Sequence, residues 1–234
     1  MSKNLFPAFA LATAIGLTIV GAAGGAQALP VGVTSSGALS TIDTYSWDQL
    51  GADSVLLSSP QAILSAAGAS ASLSSAGGTL TPRTQGSSWN GNFAPNARVL
   101  WDAGVGPDYT FTLTAPVSGF GAQIEQDNFG AFTAKVTAFD SANNVLGSFT
   151  EDGISTNAGD NSAIFIGLKD AVADISKFQF LLTSGSGPSS FAISALDVTT
   201  DPSAVPLPGT LGMFALALLG ISGWSRFRRK AATA

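Results

Sequence analysis

The sequence predicts an all-β protein: an antiparallel two-sheet β-sandwich, jelly-roll or immunoglobulin-like, flanked by an N-terminal signal helix and a C-terminal transmembrane helix. Three observations lead to this prediction. Apolar and polar residues alternate with period two through the middle of the chain, clusters of Gly, Asn, Asp and Ser separate the alternating runs, and both ends carry an apolar segment.

The alternating runs predict the individual strands. Tyr109, Phe111 and Leu113 alternate with threonines, and the same pattern recurs over 132–138. Asp140 and the residues up to Asn144 supply turn chemistry before the next apolar run, which predicts a hairpin. Further strands are predicted at 41–47, 119–124, 163–168, 175–183 and 191–199, giving seven or eight between 98 and 200. We expect the inner faces to bury Phe111, Phe132, Val136, Phe165, Phe178, Phe180 and Phe191.

The stretch from about 51 to 80 is rich in Ala, Ser and Gly and lacks aromatic residues. Such a composition is typical of a flexible loop, and it also fits flat edge strands. We favour the loop, placed as an excursion near the start of the domain.

Between the two ends, residues 29–204 form the exported body, which is long enough for one domain. The body contains five basic and fifteen acidic residues, a net charge of −10, so we expect no nucleic-acid partner. The chain contains no cysteine and no histidine. Disulfides, Ser-His-Asp or Cys-His catalysis, and zinc, haem or iron–sulfur sites that need Cys or His are therefore excluded.

The first 28 residues have the three parts of a secretory signal peptide. Lys3 is positively charged, residues 5–20 are apolar, and Ala26 and Ala28 form a small-x-small cleavage site. We expect cleavage after Ala28, with an uncleaved membrane helix as the alternative. The body is exported in either case.

The last thirty residues have an equally ordered pattern. Two prolines stiffen the segment Val205-Pro206-Leu207-Pro208, an uncharged apolar run follows over 209–224, and a basic cluster closes it. In lipid this run must be helical, and its length of about 24 Å falls short of a ~30 Å hydrocarbon core. We predict a marginal transmembrane helix over 209–225 whose stop signal holds the C-terminus in the cytoplasm: Arg226, Arg228, Arg229 and Lys230.

This layout resembles the PEP-CTERM family of exported proteins in Gram-negative bacteria, with Leu207 at a position where the family more commonly has Glu. The resemblance implies an exosortase-like processing enzyme as partner, an inner-membrane-anchored precursor, and delivery to the cell surface or extracellular matrix. Residues 207–211 are also similar to a sortase signal, but Leu211 stands where that signal needs Gly. A plain membrane anchor is a third interpretation.

Two groups of residues are candidates for ligand binding. Trp89, Asn92, Trp101 and Asp102 combine aromatic faces, which stack on pyranose C–H surfaces, with groups that bind hydroxyls. The alternative is that both tryptophans belong to the core. Glu125 and Asp127, joined by Asp197, are a candidate calcium site, although the spacing of a calcium loop is absent and a solvated turn explains them well.

We predict that the chain is not an enzyme and needs no cofactor, with Ca²⁺ as the one candidate. The first functional hypothesis is a surface or matrix protein with a structural or adhesive role. The second is a lectin-like, carbohydrate-binding module that binds exopolysaccharide, in a calcium-dependent or calcium-independent manner. The third is a glycoside hydrolase, which would need a carboxylate pair such as Glu125 and Glu151.

Overall fold

The computed structural model describes residues 29–104, 108–185 and 190–200, which contain fifteen strands and two short helical turns. The elements in chain order are β1 (Val31–Val33), α1 (Ser36–Leu39), β2 (Asp43–Tyr45), a 3-10 turn (Trp47–Leu50), β3 (Leu57–Ser58), β4 (Gln61–Leu64), β5 (Ser70–Ser75), β6 (Thr79–Thr84), β7 (Arg98–Trp101), β8 (Asp108–Val117), β9 (Gly119–Gln126), β10 (Gly130–Phe139), β11 (Val145–Ser155), β12 (Ile164–Lys169), β13 (Ile175–Ser184), β14 (Phe191–Ser194) and β15 (Leu196–Thr199).

Within the described residues these strands form two antiparallel sheets, which confirms the predicted all-β fold class. The nine-stranded sheet has the order β1-β12-β9-β14-β7-β6-β3, with β15 paired to β9 and to β2. The six-stranded sheet has the order β11-β10-β13-β8-β5-β4. Strands β8 to β14 pass repeatedly between the sheets, so residues distant in sequence meet on each face.

Aromatic rings fill the space between the sheets. Phe120 of the nine-stranded sheet stacks on Phe178 of the six-stranded sheet, with ring centroids 4.0 Å apart and planes 9° apart. Phe111 and Phe180 pack beside this pair, and all four side chains are fully buried. This packing produces the two-layer sandwich, because each sheet can bury its alternating apolar face only against the other.

The prediction of a loop over about 51–80 is wrong, because this stretch contains β3, β4, β5 and the start of β6. Strand β5 lies inside the six-stranded sheet, between β8 and β4, and buries Ala71, Leu73 and Ser75. The pairing places Leu73 beside Phe111 and Ser75 beside Tyr109 of β8, so this face of β5 joins the aromatic core. The alternative interpretation, edge strands, holds for β3 and β4, which lie at the edges of the two sheets.

Two further expectations are corrected. Phe165 was expected on an inner face, but it pairs with Gln123 on the outer face of the nine-stranded sheet and is half-buried. The single strand expected over 191–199 is two strands. The ladder breaks at Ala195, where the Ser194 hydroxyl accepts the backbone N–H of Gln123 at 2.9 Å.

A long connection between β6 and β7 covers part of the outer face of the nine-stranded sheet. Trp89 and Phe93 from this connection pack on Val99 and Ala192 of the sheet and on Ala163, forming a second, smaller hydrophobic cluster. We call this connection, residues 85–97, the covering loop. Because it lies on a face that would otherwise be solvated, polar residues on that face become buried.

No helix long and apolar enough to cross a membrane is found in residues 29–104, 108–185 and 190–200. The signal peptide predicted at 1–28 and the sorting signal and helix predicted within 205–234 lie outside the described residues.

Candidate functional site

The four residues predicted to bind a saccharide lie around the covering loop. The ring centroids of Trp89 and Trp101 are 6.4 Å apart, with planes 51° apart. Trp89, Asn92 and Asp102 are buried, whereas Trp101 is half-buried. The structure brings the two tryptophans together, and of the four residues it leaves Trp101 the most accessible to a ligand.

Asn92 joins the covering loop to the loop after β11. Its side-chain amide donates to Thr156 Oγ1 at 2.8 Å and to Ser162 Oγ at 2.7 Å, and its carbonyl oxygen accepts the backbone N–H of Thr156 at 2.6 Å. Its backbone oxygen accepts from Ala163 N at 3.1 Å. The amide predicted to bind sugar hydroxyls is thus engaged inside the protein.

Glu125 is 1% exposed and lies beneath the covering loop. Its Oε2 accepts the backbone N–H of Asn92 at 2.7 Å, and its Oε1 accepts the Ser155 hydroxyl at 2.8 Å. Burial raises the pKa of Glu125, and the hydrogen bonds from Asn92 and Ser155, together with the nearby indole of Trp89, partly offset that rise. A side chain at Gly91 would collide with the carboxylate, so glycine is needed there.

Asp102 is fully buried at one end of the sandwich. Its carboxylate accepts hydrogen bonds from the Ser190 hydroxyl, from Phe191 N at 3.4 Å and from Gly104 N at 3.2 Å. Burial raises the pKa of Asp102 to about 6, because these bonds compensate only part of the desolvation of the charged form.

Trp101 connects this carboxylate to the outer face of the sheet. Its indole N–H donates to the Ser190 hydroxyl at 2.7 Å, and that hydroxyl donates in turn to Asp102. The guanidinium of Arg83 lies 4.8 Å from the centre of the Trp101 ring, a cation–π contact that covers part of it. Most of this aromatic surface is therefore used within the protein.

The residues predicted to bind calcium do not form a site together. Glu125 is buried under the covering loop, and Asp127 is exposed in the turn after β9. Asp197 lies on β15, where its carboxylate accepts from Ser36 Oγ at 2.6 Å and from Thr44 Oγ1 at 3.2 Å. In the part of the chain that the structure describes, no three acidic side chains are grouped so that they could hold a metal ion.

The residues that complete these networks were not predicted from the sequence, and they include Arg83, Ser155 and Ser190. Arg83 could have been singled out, because it is one of only five basic residues in the body. The two serines carry no such signal, since serine is abundant along the whole chain and only the packing distinguishes them.

The described domain is a two-sheet β-sandwich, and the sequence places a sorting signal after it. Residues 204–230 match the family model of the PEP-CTERM protein-sorting motif, so the chain carries that motif, as predicted from Val205 to Lys230. The motif is typical of exported Gram-negative proteins that are made as membrane-anchored precursors and processed by an exosortase-type enzyme.

Comparison with curated proteins found no match. Among solved structures, a DUF4465 family protein from Bacteroides caccae is similar, with 10% sequence identity and a TM-score of 0.42 over 68% of this chain and 100% of that chain. At this TM-score the similarity supports no conclusion about function.

Proposed function

We propose that an exosortase-type enzyme removes the C-terminal tail of this protein and that the sandwich then serves a structural or adhesive role at the cell surface or in the extracellular matrix. The observation that carries the proposal is the sorting motif at residues 204–230. The tail needs only to hold the precursor for processing, which agrees with an apolar run of about 24 Å, shorter than a full span.

The charge of the body supports a role outside the cell. Five basic against fifteen acidic side chains keep the body soluble and disfavour association with anionic surfaces. The interior supports a rigid role, because Asn92, Glu125 and Asp102 all bond to protein groups. We therefore assign these three residues to holding the fold, and we assign no catalytic step to the chain.

The proposal is tested by measuring the intact mass of the native mature protein from its own host and mapping its terminal peptides. We expect a chain that begins at Leu29 and ends within 206–209. The double variant Pro206→Ala/Pro208→Ala should keep its tail, while the neighbouring Pro202→Ala should be processed normally. A wild-type chain that continues to Ala234 would contradict the proposal and would identify the helix as a permanent anchor.

A second candidate is a carbohydrate-binding module, and one observation favours it. Phe165 presents a half-buried aromatic ring in a groove on the outer face of the nine-stranded sheet, among side chains that bond to hydroxyls. This role is compatible with the first, because a matrix protein that binds polysaccharide is adhesive.

A further inference from the structure

A groove on the outer face of the nine-stranded sheet has the composition of a saccharide site. It lies between the turn that begins α1 and the loop before β12, and it has a volume of about 500 Å³. Small-molecule sites typically occupy ~300–1,000 Å³ and combine apolar surface with a few polar groups. Its lining includes Phe165, Gln123, Asn161, Ser36 and Asp197.

Phe165 forms the apolar surface of the groove. Its ring lies over Gly121, where a β-carbon would fall 2.5 Å from Cε1 and Cζ, so the missing side chain of Gly121 lets the ring lie close to the sheet. The ring meets Gly121 with its Cε1–Cζ edge and is only half-buried, so part of its surface lines the groove. Pyranose rings present C–H surfaces that pack on aromatic rings.

An amide pair forms one wall of the groove. The Gln123 side-chain amide donates to Asn161 Oδ1 at 3.1 Å and to the backbone oxygen of Ala163 at 3.2 Å. These two bonds use both N–H groups of the Gln123 side chain and fix the orientation of its amide. Its carbonyl oxygen is the acceptor that the side chain can offer to a ligand. The Asn161 amide then presents its NH₂ group as a donor beside that acceptor.

A carboxylate stands on the opposite side. Asp197 accepts from Ser36 and Thr44, one bond to each oxygen, and a carboxylate offers about four acceptor positions. It can therefore accept sugar hydroxyls without losing either bond. None of the described residues that line the groove is basic. The carboxylate of Asp197 would therefore repel a negatively charged sugar, and no positive side chain of the groove would offset that repulsion.

Two larger grooves lack this combination. The groove beside Asp140 and Lys177 is lined by no aromatic residue. The groove beside Ile154 includes Phe132, but that side chain is only 3% exposed because its ring packs against Gly153.

We propose that the Phe165 groove binds a pyranose unit of a neutral saccharide. The sugar stacks on Phe165, and its hydroxyls bond to Asp197, Gln123 and Asn161. The inference rests on the proposed surface or matrix role, for which it supplies the partner. It requires no metal ion, because each contact comes from a side chain of the groove.

The test uses isothermal titration of the mature protein with cellohexaose, laminarihexaose, maltohexaose and hexagalacturonic acid. We expect binding of at least one neutral hexaose, with the acidic hexamer at least about tenfold weaker. Phe165→Leu keeps an apolar cover on Gly121 but loses the aromatic face, and Asn161→Gly removes the amide while allowing the positive φ of 64° at that position. Each should weaken binding about tenfold or more, a difference of about 1.4 kcal/mol.

Phe139→Leu is the matched control, since Phe139 is a half-buried aromatic residue on the other sheet, next to Lys177. It should leave the affinity unchanged, and the melting temperature of every variant checks its folding. The inference is overturned if the wild type binds none of the neutral hexaoses, or if folded Phe165→Leu binds as tightly as the wild type. Correct terminal processing without glycan binding would overturn this inference alone, and glycan binding with a retained tail would overturn only the sorting proposal.

Discussion

The ring of Phe165 occupies the space above Gly121 that a side chain would otherwise fill, with 2.5 Å between the position of a β-carbon and the ring atoms Cε1 and Cζ. The two residues lie on neighbouring strands, β12 and β9, two positions apart along the ladder: Phe165 pairs with Gln123, and Gly121 pairs with Gly167. The ring therefore leans along the sheet toward Gly121.

We expect Gly121→Ala to lower the free energy of unfolding by about 1–3 kcal/mol, because the new methyl group displaces the ring or strains the strand. Urea denaturation measures the change. Combining it with Phe165→Ala should cost less than the two single changes together, since the collision is then removed. Strict additivity would show that ring and methyl group do not collide. Gly37→Ala is the control, because no atom lies within 4 Å of its β-carbon position and alanine favours a helix.

Asn92→Ala should destabilise the covering loop. The change leaves the Thr156 N–H without its acceptor and removes two donors from the network, which typically costs about 1–3 kcal/mol for buried groups. Denaturation gives the total, and limited proteolysis within 85–97 gives the local effect. Asn157→Ala, at an exposed position in the adjoining loop, should change stability by less than about 0.5 kcal/mol. Equal effects of the two changes would contradict the role of Asn92.

Asp102 should make stability depend on pH in a definite direction. Its pKa is about 6 in the folded protein, above its ordinary value of 3.8, so the folded state retains a proton that the unfolded chain has lost. The free energy of unfolding should therefore fall as the pH rises from about 4 to about 6 and stay level above that. Asp102 alone should account for a fall of up to ~3 kcal/mol.

The measurement is urea denaturation of the wild type and Asp102→Asn at several pH values. Glu125 contributes in the same direction, because burial raises its pKa too, so the difference between the two proteins isolates Asp102. We expect that difference to change between pH 4 and 6 and to be constant above. A constant difference over the whole range would mean that Asp102 keeps the same charge in the folded and unfolded states.

Replacing Arg226, Arg228, Arg229 and Lys230 by serine should weaken the retention of the precursor, because basic residues hold the C-terminus on the cytoplasmic side. We expect more unprocessed protein and a C-terminal epitope that external protease can reach. The variant that replaces the three arginines by lysine keeps the charge and should behave as the wild type. Normal processing of the serine variant would rule out a charge-based stop signal.

Several strands could be predicted from the sequence because their pattern is local. Tyr109, Phe111 and Leu113 point inward because alternate residues of any strand face the same side, and β8 buries all three. The Asp140 turn is equally local, since its carboxylate accepts from Ala142 N and Asn144 N, both at 2.8 Å. The sorting motif requires no fold at all.

The candidate site could be predicted only in part. The sequence left open whether Trp89 and Trp101 face a ligand or belong to the core. Their burial depends on where the covering loop packs, and no residue pattern within the loop indicates that. The face of the sheet on which Phe165 lies could not be predicted from the sequence either. Strand β12 is apolar on both faces, so its alternation does not tell which side meets the other sheet.

The sequence by itself determined the sorting motif, the all-β class and the exclusion of chemistries that need His or Cys, because these depend on residue types and short-range order. The tertiary structure alone decided that Asn92, Asp102 and Glu125 are interior groups and that the ring of Phe165 faces outward. Those outcomes depend on which distant segments cover each face of a sheet, and burial of a polar or aromatic side chain is set by that covering rather than by the residue's neighbours in the chain.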